Sequence, residues 1–383
     1  MFLQALSKEA VLRAGEISDH VNTLYIGGGT PSVLPLSVFE DLLGTLGRCG
    51  HAGPFKEFTV EVNPEDIVEK GAGYVEGLLR LGVNRISMGV QSFDDEILRW
   101  MNRRHDSDTA RRAYGILEDA GVPNISIDLI FGLSQLSDAQ WDETLDKALN
   151  ISSKGRLPHH VSSYQLSVEP GSALARLVER GVWEEASEEL CARQYAMLCG
   201  RLREAGYHHY EISNFAQPGY EAVHNSAYWS HVPYVGLGPG AHSFLTDASR
   251  QCVPMAPSQQ SWAPPPTRGC ENAISTHLSS MHVGIRQWNE GDLGLYLKAG
   301  ENGDFSAVRG REELTEEQLV LEHIMLGLRT SSGLPEAYLY AHCDRHALEQ
   351  ALACGNLTRQ SDGTIRIPES RFFISDSIIS SLV

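Results

Sequence analysis

The sequence predicts an α/β protein with parallel layers through about residue 245, followed by a small winged-helix-like C-terminal domain. Three observations predict it. Apolar β-branched runs alternate with amphipathic helical stretches at least five times, with short links. Several runs end in glycine or in a polar side chain, at the strand ends where such folds keep their chemistry. Beyond residue 315, two helical stretches and a hairpin signal replace the alternation.

Each element has its own reason. Leu3, Leu6, Ala10 and Leu12 give residues 3–14 one apolar face. Leu24 and Ile26 mark a strand at 23–26 that runs into three glycines and Thr30-Pro31. Ser37 caps a helix over 37–47. Residues 58–62 alternate as a strand, and Asn63-Pro64 reads as a loop before a short helix that Gly82 stops. A strand at 85–90 precedes a helix over 94–102, whose acidic start suits the positive end of the helix dipole. A helix over 107–120, a strand at 125–130, a helix around Trp141 and Leu145, and a strand at 160–164 follow. A helix over 187–205 leads to a strand near 209–212.

Residues 246–283, rich in Pro, Ser and Gln, read as a flexible insert between a first domain at 1–245 and a last at 284–383. In the last, Thr315 and Gln318 form a capping box for a helix through Leu328, a second helix covers about 335–353, and Asp362-Gly363 turns a hairpin.

The totals exclude whole classes. A net charge of −18, from 31 basic and 49 acidic residues, argues against a nucleic-acid partner and an anionic membrane surface. No apolar run approaches the roughly 20 residues of a membrane span, and no secretory signal opens the chain, so a cytoplasmic protein is expected. The seven cysteines are scattered without a CxxC spacing, which reads as reduced structural thiols and no metal site.

The strand ends carry Gly28, Gly29 and Thr30, then Glu61, Gln91 and Asp128, with Arg103 just beyond the third. One parallel sheet gathers these at one rim. The set suits a zwitterion bearing a ribose: glycine-loop carbonyls and Thr30 for an ammonium, Arg103 for a carboxylate, Gln91 and Asp128 for two hydroxyls. Singly, Glu61 and Asp128 also read as partners of Arg85 or Arg104, and Gln91 as a helix cap.

The stretches Gly27-Gly28-Gly29-Thr30-Pro31-Ser32, Glu61-Val62-Asn63-Pro64, Asn84-Arg85-Ile86-Ser87-Met88-Gly89-Val90-Gln91-Ser92-Phe93 and Asp128-Leu129-Ile130-Phe131-Gly132-Leu133 resemble the radical S-adenosylmethionine superfamily. They are most similar to the branch holding the oxygen-independent coproporphyrinogen III oxidase HemN and the haem chaperone HemW. The resemblance implies an incomplete parallel (β/α) barrel. It also implies S-adenosylmethionine at Gly28, Gly29, Thr30, Glu61, Gln91, Arg103 and Asp128. His224-Asn225-Ser226-Ala227-Tyr228-Trp229 matches the HNxxYW motif associated with haem binding in HemW, which implies His224 as an iron ligand beside Tyr228 and Trp229.

The departure from the family pattern concerns its CxxxCxxC run, whose thiolates hold a 4Fe–4S cluster upstream of the glycine loop. Met1 falls inside the helix that follows that run, so a truncated start is expected, with the 23–26 strand left unpaired on one side. The implied function is a HemW-like haem chaperone with a haem-receiving client. The alternatives are a coproporphyrinogen III oxidase-like enzyme and a cluster-free pseudoenzyme that acts as a binding protein, and no catalytic residue is assigned.

Overall fold

The computed structural model describes residues 1–16, 21–246 and 284–383, so the insert expected at 246–283 lies outside the described residues except for Thr246. Two compact units are present. The larger comprises Thr23–Leu36, Phe55–Ser226 and Gly327–Val383, and the smaller Met1–Asn22, Ser37–Pro54 and Ala227–Leu326.

A seven-stranded sheet organises the larger unit. Its strands are β1 (Thr23–Ile26), β2 (Glu57–Val62), β3 (Arg85–Gln91), β4 (Asn124–Phe131), β5 (His160–Gln165), β6 (His208–Glu211) and β7 (Asn214–Ala216). The order is β1-β2-β3-β4-β5-β7-β6, and the sheet curls into a half-barrel. The first five strands are parallel, and β6 and β7 close the far side as an antiparallel hairpin where one strand is expected. At the other side β1 is the edge, and its residues are all half-buried.

Period-two alternation sorts these strands into two faces. Phe58, Val60 and Val62, Ile86, Met88 and Val90, and Ile125, Ile127, Leu129 and Phe131 form the buried apolar face. Apart from Gly89 and Ile130, the intervening residues are polar: Glu57, Thr59 and Glu61 on β2, Arg85 and Ser87 on β3, Ser126 and Asp128 on β4, His160 and Ser162 on β5. A sheet apolar on one face and polar on the other positions a ligand site inside the curl.

The helix after β2 differs from expectation. The range Pro64–Arg80 is two helical segments that meet at the non-helical Gly71, with φ 68° and ψ −173°; the second is the short helix read from the sequence, and the first stands where a loop is expected. Pro64 opens the first because a first-turn residue needs no N–H, and Glu65 and Asp66 suit the dipole there. The stretch expected as one helix over 335–353 is two, Glu336–His342 and Arg345–Ala353. Cys343 is extended, and the Asp344 carboxylate accepts from the Ala347 N–H at 2.7 Å to start the second. The hairpin at Asp362-Gly363 forms between Thr358–Arg359 and Thr364–Arg366. Leu334–Pro335 adds a third strand to it. This tail joins the main sheet through Ser331 N–H, which donates to the Tyr210 carbonyl at 2.9 Å.

The smaller unit is built on an antiparallel sheet of β8 (His242–Thr246), β9 (Gly284–Asn289) and β10 (Arg309–Leu314), ordered β10-β9-β8. The expected capping box is present: Gln318 N–H donates to Thr315 Oγ1 at 3.2 Å, and Thr315 N–H to Gln318 Oε1 at 2.8 Å. The unit's fully buried Glu9 accepts from Tyr296 Oη at 2.6 Å, Asn289 Nδ2 at 2.7 Å and Gly238 N–H at 2.9 Å, with Arg13 and Arg309 at 3.6 and 3.4 Å. Removing one member of such a network strands the rest without partners, at a cost of about 3–5 kcal/mol. Glu9→Ala is therefore expected to destabilise the smaller unit by roughly 3 kcal/mol. A denaturant midpoint equal to that of the unsubstituted chain would show the network to be dispensable.

Candidate ligand site at the strand ends

Glu61 links the first two strands to the glycine loop. Its Oε1 accepts from Tyr25 Oη at 2.6 Å and its Oε2 from the Gly28 N–H at 3.0 Å. The pairing of Ile26 with Val60 brings Gly27 level with Glu61. A Cβ at Gly27 would collide with the Tyr25 ring and lie 2.8 Å from the Glu61 carboxylate, so any larger residue displaces this pair. Gly28 and Gly29 turn at φ 80° and 65° with nothing within 4 Å of an added Cβ, an open backbone surface. Thr30 follows at the head of a 3-10 turn, and its side chain makes no cap there.

Asp128 sits further along the same polar face. Ser87 Oγ donates to its carboxylate at 3.0 and 3.2 Å, and Ser162 bonds it from β5. It keeps some contact with solvent but is crowded by protein, and burial raises its pKa to about 6. Arg85 and the two serine bonds oppose that rise, while Glu61 adds to it.

Gln91 ends β3 at a register shift between Gly89 and Gln91, and its φ of 67° is strained for a residue with a Cβ. The bulge brings Gly89 under Arg103: Nη2 donates to the Gly89 carbonyl at 3.1 Å and to Asn63 Oδ1 at 3.3 Å. Both acceptors are neutral, and among the described residues no carboxylate lies within ion-pairing distance of Arg103. Burial lowers its pKa, with Glu65 opposing. Arg104 instead takes Glu65 and Asp66, each at 3.0 Å, so neither Glu61 nor Asp128 serves as its partner. Nor does Gln91 cap the next helix; Asp94 does, accepting from Glu96 and Ile97 N–H at 2.8 and 3.1 Å.

His224 lies on the short helix Val223–Trp229. Glu57, at the start of β2, accepts from the Val223 and His224 N–H groups at 2.7 and 3.2 Å. Thr23 Oγ1 meets His224 Nδ1 at 2.8 Å, and the Tyr25 ring stacks on the imidazole at 5.0 Å between centroids and 21° between planes. Burial lowers the His224 pKa below the ordinary imidazole value; Glu57 opposes this and Arg85 reinforces it. Tyr228 and Trp229 end the helix within the smaller unit, where Tyr228 packs edge-on against Tyr234 at 4.6 Å.

The larger unit thus brings Gly28, Glu61, Gln91, Asp128 and Arg103 to the same strand ends, and reaches His224 through Tyr25. Tyr25, Ser87, Asn63, Ser162 and Glu57 complete the arrangement and were not singled out from the sequence. Alternation carried the signal for Tyr25, Glu57, Ser87 and Ser162, which share the face of Glu61 and Asp128.

The sequence profile of the radical SAM superfamily matches residues 4–148. The chain is 32% identical over 319 residues to the haem chaperone HemW of Synechocystis sp., covering 83% of this chain and 67% of the relative. It is 32% identical over 317 residues to that of Lactococcus lactis, covering 82% and 71%. The solved structure of coproporphyrinogen III oxidase (HemN) from Escherichia coli, described as a radical SAM enzyme, matches with a TM-score of 0.70 at 19% identity, over 99% of this chain and 82% of that one. The fold is that of a radical SAM half-barrel. Within that superfamily, the chain belongs to the HemW family.

The superfamily implies S-adenosylmethionine and a 4Fe–4S cluster. Among the described residues Arg103 has no carboxylate partner, and no side chain crowds the backbone of Gly28 and Gly29, both of which fit an amino-acid zwitterion. The cluster does not fit the described residues. Cys49, Cys191, Cys199, Cys343 and Cys354 are all free thiols, and no three of them come together. Among the described residues no helix is long and apolar enough to cross a membrane.

Asp128 sets a pH dependence. Its folded pKa, about 6, exceeds the unfolded value, so the folded state binds the extra proton and loses stability as pH rises through 6. Asp128→Asn is expected to melt above the unsubstituted protein at about pH 8, with the advantage shrinking towards about pH 4. Parallel pH profiles for the two proteins would refute the assignment.

Proposed function

We propose that this chain is a haem-binding chaperone that passes haem to a client protein in the cytoplasm and carries a strand-end site for S-adenosylmethionine. The glycine loop at Gly28 and Gly29, with Thr30 and Glu61, would hold the ammonium. Arg103 would pair with the carboxylate, and Gln91 and Asp128 with the ribose hydroxyls. His224 would ligate haem iron through an imidazole nitrogen.

The observation that carries the haem reading is the state of His224. Its helix start is anchored by Glu57, its ring is oriented by Thr23 and Tyr25, and burial keeps the imidazole neutral, as an iron ligand must be. The HemW relatives are named as haem chaperones, which supports the same reading.

Titration with haem tests it. The chain should develop the Soret band of a histidine-ligated haem, and His224→Ala should weaken binding by about tenfold or more, at least ~1.4 kcal/mol. Because the His224 pKa is lowered, a neutral ligand persists to lower pH than for a free imidazole. Acid release of haem should therefore have its midpoint below about 6.5. Coincident spectra for the two proteins would remove His224 from the haem site.

A further inference from the structure

Away from the strand-end site, the larger unit holds a second cluster of ligating side chains from three separate segments. Cys199 lies on the helix Glu188–Glu204, His209 on β6, and Glu369 at the start of the 3-10 turn Glu369–Ile374. Their Sγ, imidazole nitrogen and carboxylate oxygen lie within 4.8 Å of one another. Cys199 and His209 are buried and Glu369 is half-buried. We propose that Cys199, His209 and Glu369 form a Zn²⁺ site that fastens the C-terminal turn to the α/β sheet.

The distances suit a tetrahedral ion. With usual Zn–S, Zn–N and Zn–O bonds, the ligand edges are about 3.6 Å for S···N and about 3.3 Å for N···O. Cys199 Sγ is 3.9 Å from His209 Nδ1, and His209 Nδ1 is 3.2 Å from Glu369 Oε1. Closing the sulfur by about 0.3 Å brings Sγ and Nδ1 to the zinc edge, and Sγ and the carboxylate oxygen lie within 4.8 Å. A water would take the fourth position from the side of half-exposed Glu369. Thiolate, imidazole and carboxylate together select zinc over the hard cations, which prefer all-oxygen sites.

The groups behind these ligands are arranged as in metal sites. His209 Nε2 meets the Ile212 carbonyl at 3.2 Å, which favours the proton on Nε2 and turns the Nδ1 lone pair towards Cys199 and Glu369. A lone pair facing a carboxylate needs a cation between them or a proton on the ring. The ring is clamped by Phe215, stacked at 3.9 Å, and Phe372, edge-on at 4.9 Å. Arg203 spans both oxygens of Glu369, Nε to Oε2 at 3.4 Å and Nη2 to Oε1 at 3.5 Å, and fixes the carboxylate with Oε1 3.2 Å from His209 Nδ1. His209 and Glu369 are both oriented before a metal arrives.

The test uses the full chain. Purified without chelator, it should contain about one zinc per chain. After exchange, Co²⁺ should show a near-ultraviolet thiolate-to-metal charge-transfer band. Cys199→Ser should abolish the band and the bound metal, whereas Cys191→Ser, the other buried thiol on that helix, should keep both. If Cys199→Ser fails to fold, Glu369→Gln, a half-exposed position, decides: loss of metal with the fold retained supports the site, and undiminished metal overturns it. Chelation should lower the melting temperature of the unsubstituted chain, and Zn²⁺ should restore it. A metal-free chain that takes up neither Zn²⁺ nor Co²⁺, or a cobalt band that survives Cys199→Ser, refutes the proposal and leaves an ordinary His209–Glu369 ion pair.

Discussion

The Glu61 carboxylate is the constraint on which the strand-end site depends. It accepts one hydrogen bond from the Tyr25 hydroxyl and another from the Gly28 N–H, so it ties the edge strand to its neighbour and holds the glycine loop in its turn. A partly buried carboxylate is tolerated only where donors surround it. Gly27 must lack a Cβ for this contact to form, and the following glycines are then left open to a ligand.

A second carboxylate on the same strand performs the corresponding task at the opposite end. Glu57, four residues earlier and on the same face, accepts from Thr59 Oγ1 at 3.1 Å and from the first N–H groups of the His224 helix. Tyr25 connects the two ends, donating its hydroxyl to Glu61 while its ring stacks on His224. A disturbance of the glycine loop therefore reaches the imidazole through one side chain. Burial pushes the Tyr25 pKa well up, and the Glu61 charge adds to it, so the hydroxyl remains a donor across physiological pH.

The polar face of the sheet carries a cost that its apolar face offsets. Arg85 is buried; among the described residues its Nε has no hydrogen-bond partner, and its Nη2 meets His160 Nδ1 at 3.4 Å. Burial drives the His160 pKa well down, so the ring is neutral beside that guanidinium. On β6, burial raises Glu211 to about 7. Polar groups of this kind persist inside a fold at binding sites, where stability is given up for chemistry. The opposite face, from Phe58 to Phe131, supplies the apolar burial that keeps the sheet intact.

By itself the sequence determined the alternation of parallel strands and helices, the ends at which the polar residues lie, and the hairpin at Asp362-Gly363. All three rest on local periodicity and turn chemistry, which act over a few residues. It also carried the motif likeness that places the chain in its family. Other features were decided only by tertiary structure. The stretch Pro64–Arg80 keeps helical segments on both sides of the break at Gly71, and it packs on helix Ser107–Asp119, a contact no local rule announces. Tyr25, Ser87 and Glu57 acquire their roles from strand register, a property of neighbours 26 or more residues away. The meeting of Cys199 with His209 and Glu369 spans up to 170 residues of chain, and no spacing rule in one dimension encodes such a contact.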